Sequence, residues 1–452
     1  MPEAGQDIQV TRAEDGTVDG TVRVGDEPAG PDFTRAVLDV AGAVLTWPVL
    51  GAPGASGPPN APGAPGLPTA HVHDAGRAQQ WLWALYGERV ADAVHDCTTG
   101  TPSGASAGVT VAVEAVEATT LAGGAARLAF GHWASRWWPA SYMEGTAGLE
   151  PGVLGLELAA LTHRCHQLFD TAFDDQPEPD DCAAELIAEH RTALDLLVRW
   201  WLAPSQPADT ARHLDSVLRL IDDAADSAGL DGPALRHLRA SLDQDQPRPA
   251  GTPVDLGTLF ARPRGYALAA GEPLTAGSRV ITRGAGGNDW RRYPPGFVDA
   301  AEDAVSWTVR AVGARRRIEV EVVADVAAPT AGAALVAEVR VDGDRAVRVP
   351  LVLRDDLWTG GADLSSLGLD LDLGPDRGLP SAAMPPRIEV GVLLPGFDPG
   401  PGAPGDAAHR DAVRALARQR LAAAARPSPY AGAYPEPFLA EIAAVAAVEE
   451  DF

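Results

Sequence analysis

The sequence predicts a multidomain α+β protein, with a mixed α+β N-terminal domain, a central antiparallel helical bundle, and a C-terminal β-sandwich followed by a helical tail. Three observations predict it. Between Asp303 and Leu353 apolar and charged residues alternate with a period of two, the mark of half-buried strands. From Pro151 to Leu242 the apolar spacing becomes helical. Stretches made largely of Gly, Pro and Ala interrupt these blocks, and 452 residues exceed what one ordinary core holds. The expected domains are 1–145 (mixed α+β, interrupted by the Gly/Pro loop 51–68), 151–243 (bundle), 276–400 (β-sandwich) and 407–452 (helical tail).

Taken in order, Asp7 to Asp26 reads as a hairpin. Ile8 and Val10 alternate with polar neighbours, Asp15-Gly16 and Asp19-Gly20 offer turns, and Val22 and Val24 alternate again. Phe33 to Leu50 is apolar and fits either a strand or a helix. Asp74 is the expected N-cap of a helix carrying Trp81, Leu82, Leu85 and Tyr86. Val109 to Val116 alternates as a strand, and Ala125 to Ala134 is expected to pair with it around a Gly123-Gly124 turn. Pro151 stands at a first helical position, opening a helix to about Asp170. An acidic loop, Asp174 to Asp181, follows. Cys182–Leu202, Asp209–Ala228 and Pro233–Leu242 complete four helices, and Gln244–Pro253 reads as an exit linker.

Strands resume near Arg279 and end near Phe397. In Arg317–Val322, Ile318, Val320 and Val322 share one face; Val347, Val349 and Leu351 repeat the device, with Asp342-Gly343 as a hairpin signal. Asp398–Gly405 breaks the chain. Ala407–Arg426 reads as a helix carrying Arg410, Arg414, Arg418 and Arg420. No repeat of fixed period is present.

Composition narrows the chemistry. Every one of the 36 basic residues is Arg, and only Asn60 and Asn288 are asparagine, a bias expected of a GC-rich bacterial genome. Without Lys there is no P-loop phosphate clamp, no Schiff base and no Ser-Lys pair. A formal charge of −26 opposes nucleic-acid phosphates and anionic lipid surfaces, so neither nucleic acid nor membrane is an expected partner. Three cysteines at irregular spacing suit a reducing compartment, and the first residues lack an apolar signal core; a cytoplasmic location is expected.

Several motifs carry a chemical reading beside a structural one. Gly104-Ala-Ser-Ala-Gly108 matches G-x-S-x-G, but a strand leaves it where a nucleophile elbow needs a helix, so a turn is the better reading. His71, His73 and Asp74 are types that bind zinc, with His95, Asp96 or Cys97 as further ligands; the alternative is a solvated cap. His163 and His166 flank Cys165 at a spacing that shares a helix face, either as a metal clip or as exposed side chains. Cys165 and Cys182 read as packing thiols. Asp370, Asp372 and Asp376 lack the glutamate of a calcium loop and read as a turn. Gly284–Gly287 lacks dinucleotide-loop spacing.

The cluster Phe130, His132, Trp133, Arg136, Trp137, Trp138 and Tyr142 has the composition of recognition surfaces and of packed junctions alike. One of Trp200-Trp201 must face away from its own helix's core. Asn288-Asp-Trp-Arg-Arg-Tyr-Pro-Pro-Gly, leading to Asp299 and Trp307, stands out without naming an activity.

The expected function is therefore a non-catalytic interaction or scaffold protein without a cofactor. It is expected to bind protein partners through Trp133, Arg136, Trp137 and Trp138 and through Arg410, Arg414 and Arg418 of the tail. The alternatives are a metal-dependent hydrolase using His71, His73 and Asp74, and small-ligand or carbohydrate binding on the sandwich.

Overall fold

The computed structural model describes residues 6–12, 21–50, 67–99, 109–113, 120–169, 181–204, 206–243, 259–260, 278–313, 315–329, 334–343, 346–364, 387–397, 399, 402–403, 405–426 and 436–447. The Gly104–Gly108 motif, the Asp370–Asp376 cluster, the Asp-Gly turns after Arg12, the linker Gln244–Pro253 and most of Gly51–Pro68, Asp174–Asp181 and Asp398–Gly405 lie outside them. The described chain is mixed α+β, with three antiparallel sheets. Among the described residues no helix is long and apolar enough to cross a membrane. Two compact units are formed: 1–135, 149–261 and 418–452 make the first, 136–148 and 262–417 the second.

In the first unit β1 (Gln6–Arg12), β2 (Val22–Val24), β3 (Arg35–Val40), β4 (Ala43–Pro48), β5 (Thr69–Val72) and β6 (Val109–Val113) form one sheet in the order β3-β4-β5-β2-β1-β6. The expected first hairpin is present, with Val10 opposite Val24, and Ile8, Val10, Val22 and Val24 are buried. Phe33–Leu50 resolves into the β3–β4 hairpin, because Ala36, Leu38 and Val40 bury one face at a period of two. Its two-residue turn needs Gly42: φ is +73° there, and an added Cβ would meet the Asp74 carbonyl.

Two helices, α1 (Ala75–Tyr86) and α2 (Glu88–Thr99), follow β5. Asp74 caps α1, its carboxylate accepting from the Arg77 N–H at 3.1 Å, as its position predicts. Trp81, Leu82 and Leu85 bury one side of α1; the Trp81 indole N–H donates to the Ala41 carbonyl at 2.7 Å. On α2, Val90 and Val94 are buried, and this helix lies against β1, β2 and β6.

One expected strand is a helix. Ala125–Ala134 does not pair with β6, whose partner is β1; it belongs to α3 (Thr120–Trp137). The glycines that suggested a turn are packing residues. A Cβ on Gly124 would sit 2.9 Å from the Cys165 sulfur, and one on Gly131 would strike Leu158, so small residues let neighbouring segments approach α3. Gly124/Ala125, Leu128/Ala129 and Trp133/Ala134 are buried, the spacing of a helix face.

α4 (Pro151–Arg164) starts with Pro151 in its first turn and is buried from Val153 to Thr162. The single helix expected over Cys182–Leu202 is two, α5 (Asp181–His190) and α6 (Leu194–Leu202), separated by a 3₁₀ turn at Arg191–Ala193. α7 (Ala208–Ser227) and α8 (Pro233–Asp243) match their expected spans to within a residue.

The second unit holds the strands of the C-terminal half: β7 (Ser278–Ala285), β8 (Val305–Val312), β9 (Arg315–Val323), β10 (Val336–Val341), β11 (Val347–Pro350), β12 (Val352–Arg354), β13 (Leu357–Asp363) and β14 (Ile388–Leu393). They make a five-stranded sheet, β12-β13-β9-β8-β7, and a three-stranded one, β11-β10-β14. Ile318, Val320 and Val322 are buried and Arg317 and Glu321 exposed, as the alternation predicts. Asp342 and Gly343 both take positive φ, the conformation that makes Asp-Gly a hairpin turn. The sheets meet where β11 faces β13: a Cβ on Gly360 would lie 2.5 Å from the Pro350 carbonyl. The tail forms α9 (Asp406–Ala424) and, in the first unit, α10 (Leu439–Ala446).

Candidate functional site

The first unit carries a cleft of about 550 Å³ between the end of β1, the start of α1 and the last turns of α2. Its place follows from the Ala41-Gly42 turn, whose Gly42 carbonyl accepts from the backbone N–H groups of His73 (3.0 Å) and Asp74 (2.9 Å). This pins the strand-to-helix junction to the sheet. Arg12, His73, Asp74, Gln79, His95 and Thr98 are the polar lining, with Leu82, Ala91 and Val94 as the apolar side. Ala91, His95 and Thr98 come together because positions three and four apart share a helix face. Such a volume suits a small molecule.

The metal reading does not assemble here. Of the expected trio, His73 and Asp74 reach the cleft and His71 is not in its lining; His71 lies on β5 opposite Arg23 and Val44. Asp74 uses a carboxylate oxygen to cap α1. Among the described residues no group of three or more His, Cys, Asp or Glu is close enough to hold a metal ion. The Cys97 thiol is pushed up by burial and by Asp96, with Arg12 opposing, so it is held in its protonated, weakly nucleophilic form. His163 and His166 have ring centroids 6.4 Å apart, and His166 is exposed. Between them Cys165 is buried, which pushes its thiol up to about 11, while Cys182 is exposed.

Comparison with family models, with curated proteins and with solved structures gives no match.

The aromatic cluster is largely consumed by internal contacts. Trp133 is buried in the first unit and donates to the Phe33 carbonyl at 2.8 Å. In the second unit Arg136 stacks on Trp137, 3.9 Å from the ring centroid, and its Nη2 donates to the carbonyls of Trp290 (3.3 Å) and Tyr293 (3.2 Å). Trp138 donates to the Ala147 carbonyl at 2.9 Å. Trp200 is fully buried against Phe260, and Trp201 is half-buried.

The segment around Asn288 is a buried polar knot. Asn288 Nδ2 donates to the carbonyls of Asp299 (2.8 Å) and Ala301 (2.7 Å), and its Oδ1 accepts from the Tyr293 hydroxyl. The Asp299 carboxylate accepts from Ser141 Oγ at 2.7 Å and from the Tyr142 N–H at 2.7 Å. Burial followed by the nearby Asp289 drives the Tyr293 hydroxyl well above the ordinary tyrosine range. The unusual composition thus has a packing cause: the polar groups of Asn288, Tyr293 and Asp299 answer one another and the backbone.

The tail arginines do not form an open basic patch. Arg410 grips Glu302 through two hydrogen bonds, and Arg414, 2% exposed, donates to the Ala300 carbonyl at 3.0 Å while pairing with Glu302 and Asp411. Arg418 is exposed.

A second network in the first unit was invisible from the sequence. Glu157, 0% exposed on α4, accepts from Arg127 (2.6 Å) and the Leu439 N–H (2.7 Å), with His213 Nε2 at 3.0 Å. Burial alone would raise the Glu157 carboxyl; His213 and Arg127 outweigh it and hold it below the usual carboxylate range. Arg420 holds the buried Glu441 through bonds of 2.6 and 2.7 Å, and Glu441 also accepts from the Phe438 N–H. Arg127 and Arg420 lie over the rings of Phe438 and Phe130 at 4.9 and 4.6 Å. Together these contacts clamp Glu436–Ala446 onto α3, α4, α7 and α9.

Proposed function

We propose that this is a non-catalytic interaction protein of the cytoplasm, which holds partner proteins on exposed side chains. In this reading the helices of 151–243 act as an antiparallel bundle and the two sheets of 278–393 as a β-sandwich, both serving as scaffold. The observation that carries it is Trp83: its side chain is 63% exposed on α1, one turn from Gln79 at the cleft. An indole left in water on a helix whose Trp81, Leu82, Leu85 and Tyr86 are buried is what interface anchors look like before binding. The buried charges support the same reading from the other side, because Glu157, Glu441, Arg410 and Arg414 all serve internal structure and none lines the cleft.

The test is photo-cross-linking mass spectrometry with a residue-unselective reagent, since the chain has no Lys, on the full chain in its native extract, with Trp83→Ala beside it. Cross-links to a partner that centre on α1 and vanish in the variant are expected. Unfolding of the variant should shift by no more than about 0.5 kcal/mol, as for an exposed substitution. The same partner cross-linked equally by the variant would overturn the reading. Elemental analysis of the untagged protein addresses the hydrolase alternative: stoichiometric zinc lost on His73→Ala would replace this proposal.

A further inference from the structure

The far end of the five-stranded sheet concentrates positive charge on an acidic molecule. Three adjacent cross-strand rows run Ser278–Val312–Arg315, Arg279–Ala311–Arg316 and Val280–Arg310–Arg317–Asp363. Successive rows face opposite sides, so Arg310, Arg315 and Arg317 share one face with Val280, Val312 and one acid, Asp363, while Arg279 and Arg316 lie on the other, in a chain whose formal charge is −26. Arg310 and Arg317 stand directly opposite each other, an arrangement that destabilises a sheet. Some relief comes from Glu319, which accepts from Arg310 at 2.7 Å, and from Asp363, 3.9 Å from Arg315. Among the described residues no acid pairs with Arg279, Arg316 or Arg317. The Arg315 side chain is 83% exposed, and Arg279 and Arg317 are also exposed.

Apolar groups lie in the same rows. Val280 and Val312 are exposed hydrophobics, at 44% and 50%, on β7 and at the end of β8. Among the described strands β7 is the edge of its sheet, so one side of this patch is not covered by another described strand of that sheet.

We propose that this end of the sheet docks an acidic protein segment that carries apolar residues among its carboxylates. The inference rests on the interaction reading above and adds to it the chemistry of one partner. Arg offers a planar fork that suits carboxylates, and the two valines give a place for side chains between them. A nucleic acid fits less well, since a long phosphate chain would meet the repulsion of the whole acidic molecule and has no use for the valines.

The experiment measures fluorescence anisotropy of a labelled peptide of Glu-Glu-Val repeats against the full chain. Comparators are the same peptide with Gln for Glu, and a labelled single-stranded DNA. Binding of the glutamate peptide is expected, weakening with added salt and falling roughly tenfold in the Arg315→Gln/Arg317→Gln double variant. Arg317→Gln should leave the unfolding midpoint unchanged or higher, which a purely structural arginine would not do. Should the double variant fail to fold, Arg315→Gln alone, at a side chain 83% exposed, replaces it. No binding of the glutamate peptide, equal binding by the folded variant, or tighter binding of DNA would each overturn the proposal. Loss of this site with the Trp83-dependent cross-links intact would sink the inference and leave the broader reading standing.

Discussion

The arginines of α9 and those at the end of the five-stranded sheet are the same residue in the same acidic chain, and they meet opposite fates. On α9, Arg410 and Arg414 are buried because Glu302 waits for them, and Arg420 because Glu441 does. On β7–β9, five arginines crowd three rows with one carboxylate among them. What separates them is the supply of acids from elsewhere in the chain, 108 residues away for the Arg410–Glu302 pair, and not the local density of basic residues. A run of arginines is a surface only when no carboxylate has been provided to close it.

Breaking the buried side of that comparison should have the largest effect. Arg420→Ala leaves the Glu441 carboxylate buried without its charge partner, and a loss of about 3–5 kcal/mol is expected in urea unfolding. Arg414→Ala removes a buried guanidinium whose acid partners reach solvent, so about 1–3 kcal/mol is expected by the same measurement. Arg315→Ala, on the sheet, should change stability by less than about 0.5 kcal/mol. A loss for Arg315→Ala as large as that for Arg414→Ala would erase the distinction.

Acid sharpens the same contrast. The folded Glu157 carboxyl lies below its unfolded value, so its contribution is fully present above the ordinary carboxylate range and disappears as pH falls through the folded value. His132 acts in the same direction at higher pH. Burial lowers it, so the unfolded chain takes up the proton first, and stability declines as pH drops below the ordinary histidine value of about 6.5. Midpoints measured from neutral pH downward should fall. In Glu157→Gln the decline at the lower end should be shallower, from a lower starting stability.

Much of the architecture could be read from residue order. The alternation of Ile318, Val320 and Val322, the Asp342-Gly343 turn and the Asp74 cap are local codes, and local codes survive folding. α3 escaped because Gly123-Gly124 suits a turn as well as a close helix contact, and only the position of Cys165 tells which. The break at Arg191–Ala193 has no Gly or Pro to announce it. Of the cleft, His73, Asp74 and His95 were legible as a group of interest, while Arg12 and Gln79 join through tertiary placement. The clamp on Glu436–Ala446 joins residues far apart in sequence, with no local pattern to reveal it.

That clamp has a bearing on how the chain is made. Arg127 donates to the carbonyl of Pro437, 310 residues further on, and Leu439 supplies a backbone N–H to Glu157. During synthesis the first unit has its sheet and most of its helices early, but Glu157 must wait with its apolar surroundings open until α10 emerges. Ribosomal pauses before α10 is made, or nicks that free it, should therefore send this protein toward chaperones and proteases well out of proportion to the few residues involved.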